Sequence, residues 1–294
     1  MRLGDYRTSK NVSRQRGGLG GRGMGRGGLG LVLSLVASRF GIVGVIVVLV
    51  GAMLLGFNPF GGGGQQAMQA PRGAETGAAA CDDDAESLLV CRVLASTEDT
   101  WSELFSAAGT QYRPAGLNFY DRAGRSGCGV AQSAMGPFYC PLDNHIYLDT
   151  SFFDELENRF GASGDFAQGY VIAHEVGHHI QNLTGTLGEA RAMQQRLSGP
   201  QGNEVQVRVE LQADCLAGVW AANATTADGR PVLEPGDIEE GMRAAAAIGD
   251  DTLQKRSQGY VVPESFTHGT SAQRQRWLER GLESGDPAAC DTGI

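Results

Sequence analysis

Between Phe40 and Phe57, eighteen consecutive residues carry no charge and no strongly polar side chain. At 1.5 Å per residue such a run spans about 27 Å as a helix, near the hydrocarbon thickness of a bilayer. Leu29 to Ala37 is also mostly apolar, but Arg39 separates it from the longer run. Beyond residue 81 the pattern becomes amphipathic. Ala85 to Ala95 and Thr100 to Ala107 repeat apolar residues at helical spacing, and Thr100-Trp-Ser-Glu103 fits a capping box opening the second helix. Residues 112–150 are instead rich in Gly, aromatic and β-branched residues, with His145 to Asp149 a short strand. Helical patterns then return. Asp165 can cap a helix from about Phe166 to Asn182, with Gly185 just past its end. Further helices are expected near Leu187–Leu197, Glu204–Asn223, Asp237–Gly249 and Ser271–Glu283, the last opened by the capping box Thr270-Ser-Ala-Gln273. The expected fold is α+β and mainly helical, with a small sheet placed before the central helix.

Charge sharpens the division. The formal net charge is −9, yet residues 1–39 hold eight basic groups and only Asp5 among acids. The remainder is therefore −16, a poor surface for wrapping nucleic acid, which needs clustered Lys and Arg. No nucleic-acid partner is expected, although Arg14 to Gly30 is an Arg/Gly-rich low-complexity stretch of the kind some RNA-binding proteins carry. We read that stretch as part of a basic topogenic tail near anionic headgroups. The domain division expected is a cytoplasmic tail (1–39), a transmembrane signal anchor (40–57), a flexible linker (58–80) and one outer domain (81–294). The chain would then pass the bilayer once, with its outer domain periplasmic or extracellular. All six cysteines lie in that domain and none has C-x2-C spacing, so disulfides are expected rather than structural zinc. Of fifteen connectivities, local closure favours Cys81–Cys91 and Cys128–Cys140, leaving Cys215–Cys290. Asp82-Asp83-Asp84 reads as a helix start rather than a Ca²⁺ site.

Of five histidines, three fall in His174-Glu175-Val176-Gly177-His178-His179. On a helix His174 and His178 share one face and can reach one ion, while Glu175 stands about 100° round from His174. This is the H-E-x-x-H arrangement of zinc peptidases. A metzincin extension fails, because Gln181 and Thr184 occupy the positions that would need Gly and His. Glu210 and Asp214 are an i, i+4 acid pair, the arrangement in which one carboxylate binds Zn²⁺ and the other fixes a histidine tautomer. That pair after H-E-x-x-H is the gluzincin signature.

Longer strings carry a resemblance. Ser133 to Asp149, Gly164 to Gln181, Glu210 to Trp220 and His268 to Arg274 are similar to the bacterial family of neutral zinc metallopeptidases, over roughly residues 80–290. The resemblance implies a zincin-like domain, with Zn²⁺ held by His174, His178 and Glu210. It also implies hydrolysis of a peptide or protein substrate through a metal-bound water, with Glu175 as general base. Asp214 is then the group behind a liganding histidine. His268 is the candidate donor to the developing oxyanion, the other reading being a structural histidine bonded to its loop; Arg274 is read as a salt-bridge residue ahead of a holder of the substrate terminus. His179 is expected to pack rather than ligate. By analogy with zincins, the strand bearing His145 and Tyr147 is expected to lie at a sheet edge open to extended substrate. The other reading is a non-proteolytic zinc-containing scaffold of the cell envelope, and the bilayer is the second expected partner, through residues 40–57.

Overall fold

The computed structural model describes residues 1–15 and 75–294. The expected membrane anchor, and most of the tail and linker, lie outside the described residues. Among those described, no helix is long and apolar enough to cross a membrane.

Seven strands and eight α-helices form the fold among the described residues. The strands are β1 (Val12–Gln15), β2 (Glu75–Thr76), β3 (Gly116–Tyr120), β4 (Ala123–Ser126), β5 (Gly129–Gln132), β6 (Phe138–Cys140) and β7 (His145–Leu148). The helices are α1 (Ala85–Ala107), α2 (Ser151–Asn158), α3 (Asp165–Thr184), α4 (Thr186–Gln194), α5 (Pro200–Asn223), α6 (Asp237–Ala247), α7 (Asp250–Gln258) and α8 (Ser271–Ser284). The fold is thus mainly helical with a small sheet, as the periodicity predicts. The main sheet has the order β2-β1-β3-β7-β6, while β4 and β5 form a separate hairpin. Strands β1, β3 and β7 run parallel, and β2 and β6 close the two edges antiparallel.

Three sequence expectations change here. The first is the N-terminal boundary. Residues 1–15 are not a separate tail: β1 lies inside the sheet, pairing Val12 with Leu117 and Ser13 with Thr76. Leu3, Ser9 and Val12 are buried. Three of the basic residues here, Arg2, Arg7 and Arg14, pair with acids of the domain. Arg7 bonds Glu98 at 3.0 Å and Arg14 pairs with Asp83 at 3.0 Å, its guanidinium 4.4 Å above the Phe119 ring. The Met1 amino group bonds Asp165 at 2.5 Å, so Asp165 binds the N-terminal segment, and Gly164 occupies the cap of α3. The last residues assigned to the linker, from Glu75, also belong to the fold.

The second change is that Ala85 to Ala107 is one helix. No Gly or Pro interrupts it, and Thr100 is buried mid-helix instead of capping a second start. Asp84 caps it by accepting from Ser87 N–H at 2.6 Å, which accounts for the Asp triplet. The third is the strand His145–Leu148, which is interior, flanked by β3 and β6; the free edge beside it is Phe138–Cys140. Two short helices, α2 and α7, fall outside the elements expected from the sequence.

One core joins the sheet to the helices: Leu94 of α1, Leu117, Phe119, Ile146 and Leu148 of the sheet, and Phe166 and Trp220 of α3 and α5. Helices α5 and α8 cross so closely that a Cβ on Gly281 would lie 1.9 Å from the Cys215 carbonyl oxygen. Disulfides join Cys81–Cys91, Cys128–Cys140 and Cys215–Cys290, the connectivity that local closure favours.

Candidate metal centre

Helix α3 is buried over most of its length, and it carries His174, Glu175 and His178 into the interior. Helix α5 packs against it and supplies Glu210 and Asp214, both buried. Spacing of four residues puts each pair on one helical face. The two imidazole rings stand 4.8 Å apart and nearly perpendicular. Both Nε2 atoms converge on Glu210 Oε2, at 3.2 Å from His174 and 3.5 Å from His178. One donor atom from each of the three residues lies within 4.8 Å of the others, a group able to hold a metal ion. The other Glu210 oxygen accepts from Gln206 Nε2 at 2.9 Å, leaving Oε2 to face the histidines.

The far side of each imidazole is fixed. His174 Nδ1 donates to Asp214 Oδ1 at 2.8 Å, and Tyr170 donates to the same oxygen at 2.6 Å. Arg274, itself buried, donates to both Asp214 oxygens at 2.9 Å. Burial opposes ionisation of Asp214, but Arg274 and then His174 outweigh it and hold the carboxyl at about 2. Arg274 therefore serves as the salt-bridge residue the sequence indicates. On the other histidine, His178 Nδ1 donates to Gln181 Oε1 at 2.8 Å, while Gln181 Nε2 donates to Val209 O and Gln212 Oε1. With the proton of a neutral imidazole held on Nδ1, the Nε2 of each histidine would offer its lone pair to a divalent ion beside Glu210.

Glu175 points into the same interior without belonging to the donor group. It is buried, and its Oε2 has no hydrogen-bond partner. Burial pushes its carboxyl upward. A buried carboxylate oxygen left open beside two imidazoles and a second carboxylate is an expensive arrangement unless a ligand completes it.

His268 sits in the loop before α8 and is about half exposed. Asp250 organises that loop, accepting the backbone N–H of Thr267, His268 and Gly269 on Oδ2, with His268 Nδ1 3.3 Å from Oδ1. Burial works against the imidazolium, but Asp250 and Glu210 together raise the His268 pKa. It makes no direct bond to the three-residue group. His179 packs away from that group, its Nε2 donating to Arg113 O at 2.6 Å and its Nδ1 accepting from Tyr139 at 3.0 Å.

Sequence reasoning missed Tyr170, Gln181 and Asp250 as supports. Tyr170 and Gln181 lie on α3 one turn or less from the histidines they support, so helical spacing from the H-E-x-x-H motif points to them. Asp250 is linked to His268 only through the tertiary fold.

The family described as "Putative neutral zinc metallopeptidase" matches residues 1–293, N-terminal strand included. The chain is 46% identical over 296 residues to "Uncharacterized protein YpfJ" of Escherichia coli K12, covering 99% of this chain and 98% of that protein. It is 45% identical over 257 residues to "Uncharacterized protein Rv2575" of Mycobacterium tuberculosis H37Rv, covering 82% and 84% respectively. No solved structure matches. With a family match from the first strand to the last helix and the donor group in place, this chain belongs to the neutral zinc metallopeptidase family.

Proposed function

We propose that this protein is a zinc-dependent peptidase, held at the bilayer of the bacterial envelope through residues 40–57 and working outside the cytoplasm. The observation that carries the peptidase reading is the convergence of His174, His178 and Glu210 beside the unpartnered Oε2 of Glu175. Three disulfides and the long apolar run support export.

His174, His178 and Glu210 would hold the ion, two neutral imidazoles and one carboxylate being the donor set of catalytic rather than structural zinc sites. The bound ion would supply Lewis acidity toward a peptide carbonyl and a lowered pKa for water. Glu175 accepts the proton of the attacking water on Oε2 and returns it to the leaving amine, a role suited to a carboxylate raised by burial. His268, steadied by Asp250, donates to the oxygen that gains negative charge. Asp214 and Gln181 keep the imidazoles from turning.

Glu175→Gln and Glu210→Ala test this reading against a zinc scaffold that cleaves nothing. Glu175→Gln should retain one zinc per chain and lose peptide hydrolysis by on the order of 10²–10⁴-fold. Glu210→Ala should lose the metal. A wild-type protein that holds zinc but cleaves no member of a broad peptide library would overturn the peptidase reading, and unchanged zinc affinity in Glu210→Ala would remove Glu210 from the donor set.

A further inference from the structure

Gln181 is fully buried one turn beyond the H-E-x-x-H motif, and its three hydrogen bonds leave no freedom in how its amide lies. The Val209 carbonyl at 2.7 Å and the Gln212 Oε1 at 2.9 Å are both acceptors, so the amide NH₂ must face them. Only Oε1 remains for His178 Nδ1, 2.8 Å away, and that contact requires a proton on Nδ1. We propose that Gln181 is a positioning residue that holds His178 in the Nδ1–H tautomer with Nε2 presented to the metal, as Asp214 does for His174. The two imidazoles then differ: one is backed by an anion locked to Arg274, the other by a neutral amide. This rests on the zinc-peptidase reading above.

The test compares Gln181→Met and Gln181→Glu in the full-length chain, reading zinc affinity by chelator competition and apo-protein unfolding separately. Gln181→Met removes the acceptor, and zinc affinity should fall about 10–100-fold. Gln181→Glu restores the acceptor for Nδ1–H while losing both N–H donors, so it should recover zinc affinity without recovering apo stability. A purely structural residue gives affinities that follow apo stability in both variants, and that result overturns the proposal, as does wild-type affinity in Gln181→Met. If Gln181→Met does not fold, Gln181→Glu decides alone: near wild-type affinity supports the proposal and a tenfold loss refutes it. A wild-type chain without zinc would instead defeat the peptidase reading, a distinguishable outcome.

A separate observation concerns the N-terminal strand. β1 lies between β2 and β3, and Arg14 pairs directly with Glu75 across the β1–β2 ladder. Gln15 and Glu75, the described residues on either side of 16–74, therefore lie on adjacent strands about 4.8 Å apart. Ser9 and Asn11 both donate to the Glu98 carboxylate, which is buried; without residues 1–15 that charge loses its partners. A strand folded into the sheet cannot lie across a bilayer from it. We infer that residues 1–15 and the metal centre share one side of the membrane, against the opposite sides expected from the sequence. The described cysteines are all in disulfides and residues 1–80 contain none, so an added thiol is a clean probe. Lys10→Cys and Glu189→Cys, both at exposed positions, are labelled with a membrane-impermeant maleimide in intact and permeabilised cells. Labelling of both in intact cells, or of both only after permeabilisation, supports the shared side; the second result also places the active domain inside. Labelling of one without the other overturns it.

Discussion

Gly177, between the two metal-facing histidines, offers a direct way to vary the distance from α3 to α5. A Cβ there would lie 2.9 Å from the Ala213 carbonyl oxygen and 3.0 Å from Ala213 Cα. Both are backbone atoms of the helix that carries Glu210 and Asp214, so no side-chain rotation can relieve the contact. Ordinary carbon–oxygen contacts begin near 3.3 Å, so Gly177→Ala must part the helices by about 0.4 Å. Overpacking of that size costs about 1–3 kcal/mol. Its effect on the metal should be larger in proportion. The imidazoles move with α3 and Glu210 moves with α5, while zinc–ligand distances tolerate only about 0.2 Å. Zinc affinity should therefore fall by on the order of 10–100-fold, the scale of other losses of site geometry. Chelator competition gives the affinity, and urea unfolding of the apo-protein gives the stability term. Gly188→Ala on α4 is the control, since its Cβ would meet nothing within 4 Å. It should keep wild-type affinity and gain up to about 1 kcal/mol from helix propensity. If Gly177→Ala binds zinc as tightly as the wild type, the close seam between α3 and α5 does not set the site geometry.

Three further outcomes follow from other parts of the structure. Arg274→Met should destabilise the fold by about 3–5 kcal/mol in urea titrations, because it strands the buried Asp214 charge. Breaking Cys215–Cys290, which closes a separation of 75 residues, should cost about 4.5 kcal/mol by loop entropy. Breaking Cys81–Cys91, with a separation of 10, should cost about 2.7 kcal/mol, and paired Cys→Ala thermal melts would show the order. Asp149 accepts from Arg122 N–H and Ser151, and despite burial these bonds and that of Ser133 lower its carboxyl pKa. A depressed carboxylate stabilises the fold above its unfolded pKa of about 3.9 and loses that contribution as pH falls through the folded value. Asp149→Asn should flatten the stability–pH curve in that acid range; an unchanged slope would exclude Asp149 as a source.

The donor group was legible because its spacing is helical: His174 with His178 and Glu210 with Asp214 are each one turn apart, and a single α3–α5 contact joins the pairs. The helix α8 was legible for a similar local reason, its capping box at Thr270 and Gln273 being present in the structure. What escaped was non-local. Nothing in Val12-Ser-Arg-Gln15 announces a strand, because its partners β2 and β3 begin about sixty and a hundred residues later and its basic side chains imitate a topogenic tail. The edge strand was misplaced for a related reason: His145 to Leu148 alternates well, but which strand lies outermost depends on the pairing order. Thr100 carried a correct capping signature that a continuous helix overrode, since burial against the core outweighs a local cap.

The parallel pairing of β1 with β3 also governs how the chain can come into being. β1 is synthesised first, yet β3 follows it by about a hundred residues, which at ribosomal rates is a wait of roughly 5–20 s. During that interval the edge that β3 will occupy is open, and only the two-residue β2 can pair on the other side. An unpaired strand edge recruits other chains unless charge discourages it. Arg7 and Arg14 stand along this segment, so the charges that later meet Glu98, Asp99 and Asp83 also keep nascent copies apart while the strand waits for its place in the sheet.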